Sequence, residues 1–398
     1  MNLEGGLGID VHWNGQSIDE VDLTSVRPLQ LVQLLRGKTA TEGIKLLGMM
    51  YRVCGVAQRF AGLSAWRRTC DVTVPEAFQR AQQLLLKTES LREHLWQVLV
   101  VWPKLLGETP KQNPSLLLLS RMVPEVEQAL FAKGLSMTPA ASLAIQSEIL
   151  RQILQDVQLL VEDQISGIPM EQWLAMNSAS DLFEWSEQVS GPAARMIAYI
   201  KKQEYFSLGN NSEKEIKSLP MLAEDRLIEK FTTDSCEEFV TQPMWQGQCF
   251  ETGVFSRQSN QTLVSAAEKA YGKGLLVRIL ARLVELLLLM KEIKQGAEDL
   301  TGLANITAPL PADSRQTGQG LAMIEAARGR LIHWMELEQG VISDYAIVAP
   351  TEWNFHPQGI AAAGIKNLYA SDEQQLKHQI ALWINAIDPC VGYELRIH

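Results

Sequence analysis

The sequence predicts an α+β fold that is predominantly α-helical, with small antiparallel β-hairpins near both ends. Three observations carry this reading. Apolar residues recur at helical spacing over most of the stretch from about residue 29 to residue 297. Alternating segments with turn residues between them stand at 7–23 and again at 331–349. No internal repeat or low-complexity tract interrupts the pattern. With 398 residues, 46% of them hydrophobic, the chain has material for a large core. It reads as a single domain over 1–398: a hairpin at 1–26, a helical core at 27–306, a loop at 307–320, and a hairpin, C-terminal helix and tail at 321–398.

The elements follow in order. Leu7, Ile9 and Val11 alternate with small or polar residues, Asn14-Gly15 signals a type I′ turn, and Ile18, Val21 and Leu23 return. Thr73-x-x-Glu76 has the form of a capping box with Pro75 in the first turn, opening a long helix or helix pair that runs to Trp102-Pro103. Further helices are expected at 115–133, 140–163, 190–204 and 262–297. The most apolar run, Gly274 to Met290, carries Arg278, Arg282 and Glu285, which suits a buried amphipathic helix and not a membrane span. Ser207–Glu215 and Thr307–Gly320 have loop composition. A second hairpin turns at Glu338-Gln339-Gly340. Ser371-x-x-Gln374 then caps a last helix, with Leu376, Ile380, Trp383, Ile384 and Ile387 on one face and Asp388-Pro389 as its stop. The β pieces at the two ends are expected to share a layer.

Lys and Arg number 36 against 46 Asp and Glu, a formal charge of -10. That balance argues against nucleic acid and anionic membranes as partners and is compatible with basic protein partners. Met1–Trp13 has no basic n-region and no apolar h-region, so no secretory signal is read and a cytoplasmic location is expected. The five cysteines are odd in number and widely spaced, as free thiols are.

Two of those cysteines stand at element boundaries. Cys390 follows the last helix in irregular backbone. Cys54, with Gly55, precedes or opens a helix whose face is Val56, Phe60 and Leu63. A helix N-terminus and nearby Arg52 favour a thiolate there. Singly, each is what an ordinary small buried thiol looks like. No CxxC, HExxH, Walker loop or GxSxG accompanies them. Cys70, Cys236 and Cys249 have no partner spacing, and His333, His356 and His378 form no cluster. His94 lies within a helix and reads as a hydrogen-bonded core histidine.

Taken together, Arg52-Val53-Cys54-Gly55-Val56-Ala57 and Asp388-Pro389-Cys390-Val391-Gly392-Tyr393 resemble the two metal-binding motifs of the nickel-iron hydrogenase large subunit, R-x-C-G-x-C and D-P-C-x-x-C-x-x-H. "LEGGLGIDVHWNG" resembles the family's opening hairpin, with Gly6 replacing a histidine. "VPEAFQRAQQLLLKTESLREHLWQVLVVWPKL" and "AARGRLIHWMELEQGVISDYAIVAPTEWNFHP" resemble later family segments, in the same order. The match covers about residues 3–106 and 320–396. The chain departs from the family where it matters most: Ala57 and Tyr393 stand at the two cysteine positions that bridge nickel and iron, and Arg396 stands for the motif's histidine.

The resemblance implies a large-subunit-like helical core, and the losses imply that nickel is not held and hydrogen is not turned over. Cys54 and Cys390 match nickel-terminal ligands and are the implied metal-binding residues. Arg328 and Thr351 match the residues that face iron-bound cyanides. Glu4 matches the proton-relay glutamate, as a remnant or a structural residue. His398, two residues late for the motif, is the C-terminal candidate: its imidazole and carboxylate reach a metal, or the terminus is disordered. The pattern is similar to the accessory family HupK/HoxV. It implies a non-catalytic scaffold that carries an iron with two cyanides and one carbon monoxide. The implied partners are a small maturation chaperone and the hydrogenase large-subunit precursor. A metal-free mimic of the large subunit, or a degenerate subunit of a redox complex, is the alternative.

Overall fold

The computed structural model describes residues 5–26, 30–108, 115–132, 136–138, 142–211, 215–302, 306–307 and 316–398. At its centre runs the helix Leu275–Leu300, buried along most of its length. The three charges in its apolar run each find an opposite charge: Arg278 with Glu251 at 2.7 Å, Arg282 with Asp388 at 3.2 Å, and Glu285 with Arg257 at 2.6 Å. Pairing is what makes those groups tolerable in a core. The sequence-predicted helix 262–297 is in fact two, Thr262–Tyr271 and Leu275–Leu300. Gly272, at φ 77°, takes the left-handed conformation that ends the first.

The helix Glu76–Trp96 packs along this central helix. Its N-cap is Pro75 and no side chain caps it, so the expected Thr73 capping box does not form. After Trp96 the ladder widens into a π-helical turn, Gln97–Val101, just ahead of Pro103, which has no N–H to give. Helices Ala40–Met50, Gly55–Thr69, Ser115–Leu130, Ser147–Val161 and Pro192–Gln203 complete the main cluster. Among the described residues no helix is long and apolar enough to cross a membrane.

Two three-stranded sheets flank the helices. In one, Gly6–Trp13 pairs antiparallel with Ile18–Val26 and parallel with Tyr393–Ile397. The tail is therefore a strand, an element the sequence reading left out. The Asn14 turn spans four residues instead of two, with the Asn14 side chain accepting from the amides of Gln16 and Ser17. The other sheet is an antiparallel meander of Gly318–Ala326, Gly329–Glu338 and Val341–Val348. Its second turn is the expected one, with Gln339 and Gly340 both at positive φ. Its first strand begins at Gly318, inside the segment read as a loop to 320, and 308–315 lies outside the described residues. The layer expected to be shared by the two hairpins does not form. The N-terminal hairpin takes the tail as a third strand, while the second hairpin belongs to a separate sheet.

The last helix, Glu373–Ile387, buries Leu376, Ile380, Trp383, Ile384 and Ile387 as expected. Its cap is Asp372, accepting from the Gln375 amide, one residue past the predicted Ser371. It ends at Asp388, whose φ of 66° turns the chain out of the helix before Pro389.

Candidate functional site

Cys54 is the N-cap of helix Gly55–Thr69, and its carbonyl accepts from the Gln58 amide. Arg92 holds the preceding loop by donating to the Val53 carbonyl at 2.8 Å. Cys390 sits just past the terminal helix, where Thr351 fixes it twice. The Cys390 amide donates to Thr351 Oγ1 at 3.2 Å, and that hydroxyl donates to Cys390 Sγ at 3.0 Å. The two cysteines, 336 positions apart in number, line one small cavity of about 20 Å³ with Tyr51, Arg52, Val53, Gln58 and Val391.

Behind the cysteines lies a buried charged floor. Arg328, in the turn between the first two meander strands, donates from Nη1 to Glu93 at 3.1 Å and pairs through Nε with Asp388 at 3.4 Å. Asp388 also accepts from Gln97 at 2.8 Å and Arg282 at 3.2 Å. Glu89 closes the helix N-terminus. Its carboxylate accepts from the Val56 and Ala57 amides at 2.8 and 2.9 Å, satisfying two donors that a helix start leaves free.

The electrostatics follow from burial first. Burial pushes the Cys54 thiol up to about 12, with Cys390 and Glu89 adding to the rise. Burial thus works against the thiolate expected at the helix N-terminus. Desolvation outweighs the terminal amides, which are spent on Glu89. Glu89 is raised to about 7, again by burial, against the two amides and Arg92. Arg328 is held charged: burial works against it, but Asp388, Glu93 and the two thiols outweigh that cost.

Comparison with known proteins decides the family. The nickel-dependent hydrogenase family model matches residues 224–392. The hydrogenase expression/formation protein HoxV of Cupriavidus necator is 30% identical over 381 residues, covering 92% of this chain and 90% of its own. The chain belongs to the HoxV/HupK family. HupK of Azotobacter vinelandii, another hydrogenase expression/formation protein, is 25% identical and aligns over 99% of both chains. The fold is that of the hydrogenase large subunit. The nickel-iron-selenium hydrogenase of D. vulgaris Hildenborough superposes with a TM-score of 0.69, at 16% identity, over 95% of this chain and 94% of that one.

In this HoxV/HupK chain the structure brings together four of the six residues singled out from sequence. Cys54 and Cys390 meet at the cavity, Thr351 bonds Cys390 from behind it, and Arg328 lies close enough for both cysteines to act on its charge. Thr351 spends its donor on Cys390 sulfur, while Arg328 spends Nη1 on Glu93 and keeps Nε, which faces Asp388 at 3.4 Å, without a hydrogen-bond partner. His398 does not join them. It lies past strand Tyr393–Ile397, at the end away from Cys390. There its backbone pairs with Val11 and Trp13, its ring stacks on His12 at 5.0 Å, and Nε2 bonds Asp10 at 2.9 Å. The disorder alternative fails for the same reason: the terminus is the last rung of a parallel ladder. Glu4 lies outside the described residues.

At the two motif positions where the sequence resemblance expects bridging cysteines, the chain has Ala57 and Tyr393. Ala57 is buried and has no side-chain donor, and Tyr393 sits in the edge strand opposite Leu7, 40% exposed. His94 is the expected core histidine, fully buried with Nε2 on Glu285 at 3.0 Å. Sequence reasoning missed Glu89, Glu93 and Asp388 as parts of the site. Asp388 alone had a visible signal, since it opens the Asp-Pro-Cys motif.

Proposed function

We propose that this chain is a non-catalytic scaffold of hydrogenase maturation. It receives an iron carrying two cyanides and one carbon monoxide, and passes that fragment to the large-subunit precursor. The observation that carries the reading is the meeting of Cys54 and Cys390 at one cavity while Ala57 and Tyr393 leave the bridging positions without a sulfur. Two thiols with no bridge suit one metal, and they suit release better than a four-thiolate cage does. Its homologues are hydrogenase expression/formation proteins, which supports a maturation role.

Both sulfurs must be thiolates to hold iron, so loading releases the thiol protons and handover restores them, with no change of oxidation state required. A cavity of about 20 Å³ holds roughly one water-sized group. Loading therefore displaces part of its wall, of which Tyr51–Val53 and Val391 lie outside any helix or strand. Arg328 and the Thr351 hydroxyl then supply the donors for the cyanide nitrogens, each giving up a present partner. The partners are a small maturation chaperone that delivers the fragment and the precursor that accepts it. Free thiols are compatible with exchange in a reducing, cytoplasmic setting.

The small volume of the cavity favours a second reading, in which the chain mimics the large subunit and binds its chaperones without metal. Hydrogenase maturation in cells carrying Cys54→Ala or Cys390→Ala separates the two. Loss of maturation supports the scaffold, and unchanged maturation with both variants supports the metal-free mimic.

A further inference from the structure

Helix Gly55–Thr69 carries Gln58 one turn in from its cap, Cys54. Residues four apart on a helix share a face, and helical side chains lean back towards the N-terminus. Gln58 reaches back to Cys54 in this way. Its backbone amide donates to the Cys54 carbonyl at 3.0 Å, and its side-chain Nε2 donates to Cys54 Sγ at 3.7 Å. Gln58 and Cys54 both line the cysteine cavity. Gln58 also follows Ala57 directly, so an amide stands next to the position that lacks its thiol.

The residue is only 2% exposed, and its Oε1 has no hydrogen-bond partner among the described residues. A buried acceptor left unpaired destabilises a fold, and an apolar side chain of similar size avoids that penalty. Packing therefore does not account for an amide here. Among the described residues the Cys54 sulfur is the one hydrogen-bond partner of this side chain. The arrangement parallels that at Cys390, whose sulfur accepts from the Thr351 hydroxyl at 3.0 Å. Each cysteine sulfur thus faces one neutral donor. A hydrogen bond to a ligating sulfur draws electron density from it and tunes its bond to a metal.

We propose that Gln58 is a positioning residue of this site: its amide holds the Cys54 sulfur at the cavity and donates to that sulfur when a metal is bound. The inference rests on the reading of Cys54 and Cys390 as a metal-holding pair. It adds a regulator of how strongly one of the two sulfurs holds its cargo. A neutral amide suits release, because it moderates the sulfur without adding a charge to the pocket.

Cobalt(II) titration of the reduced full chain without oxygen tests this, because the thiolate-to-cobalt charge-transfer band reports on the sulfur itself. Wild type should show the band, and Cys54→Ala should lose most of it. Gln58→Leu should keep the band and move it to lower energy, since a sulfur without its donor gives up an electron more readily. In urea the same variant should be at least as stable as wild type, which a residue retained for packing would not be. A band that Cys54→Ala diminishes and Gln58→Leu leaves unmoved overturns the role given to Gln58 and leaves the metal reading standing. No band in wild type, or a band indifferent to Cys54→Ala, overturns the metal reading, and this inference falls with it. If Gln58→Leu fails to fold, Gln58→Ala takes its place with the same shift required.

Discussion

Thr351 and Cys390 hold each other twice: the cysteine amide donates to the threonine hydroxyl, and the hydroxyl donates to the cysteine sulfur. One buried hydroxyl thus fixes both the backbone and the side chain of a cysteine that follows a helix end. Thr351→Val removes the hydroxyl at constant shape and leaves the Cys390 amide without this partner. The expected cost is about 1–3 kcal/mol in chemical denaturation. Thr351→Ser should retain most of that stability, because it keeps the oxygen.

Asp388 carries the floor of the site. It faces Arg282 and Arg328, all three nearly fully buried. Asp388→Asn leaves Arg282 without its carboxylate and Arg328 with Glu93 alone, and breaking a buried pair on one side costs about 3–5 kcal/mol. Urea unfolding of the variant checks this, and a loss under about 1 kcal/mol would contradict the role assigned to the Asp388 charge.

Glu89 gives a pH signature. Its folded pKa is raised from 4.5 to about 7, chiefly by burial. The folded state therefore binds this proton more tightly than the unfolded state does. The associated stability is fully present below about pH 4.5 and is lost as pH rises through about 7, a change on the order of 3 kcal/mol. Glu89→Gln has no such titration. The stability difference between variant and wild type, followed from pH 4 to pH 8, should move in the variant's favour across that window. A difference that stays constant would remove the assignment.

Much of this was legible in the sequence, and the boundary of legibility is physical. The hairpin ends, the charged core helix and the apolar face of the last helix are local periodicities, and they folded as read. Cys54 and Cys390 were linked through their motifs, and the fold places them at one cavity. What stayed hidden depends on partners distant in the chain. Tyr393–Ile397 is too short to announce a strand and becomes one only because Gly6–Trp13 offers a free edge. Glu89 and Glu93 look like ordinary helix-surface acids until helix Gly55–Thr69 and Arg328 arrive above them. The Cys54 thiol was misread because the helix terminus is local and the burial that outweighs it is tertiary.

In the function proposed above, Cys54 and Cys390 hold a cyanide- and carbonyl-ligated iron. Infrared spectroscopy of the chain, co-expressed anaerobically with the maturation proteins, tests it most directly. The account predicts cyanide and carbonyl stretching bands in the wild type, with iron and without nickel, and their loss in Cys54→Ala and Cys390→Ala. A wild-type sample free of those bands, with the maturation proteins present, would contradict it.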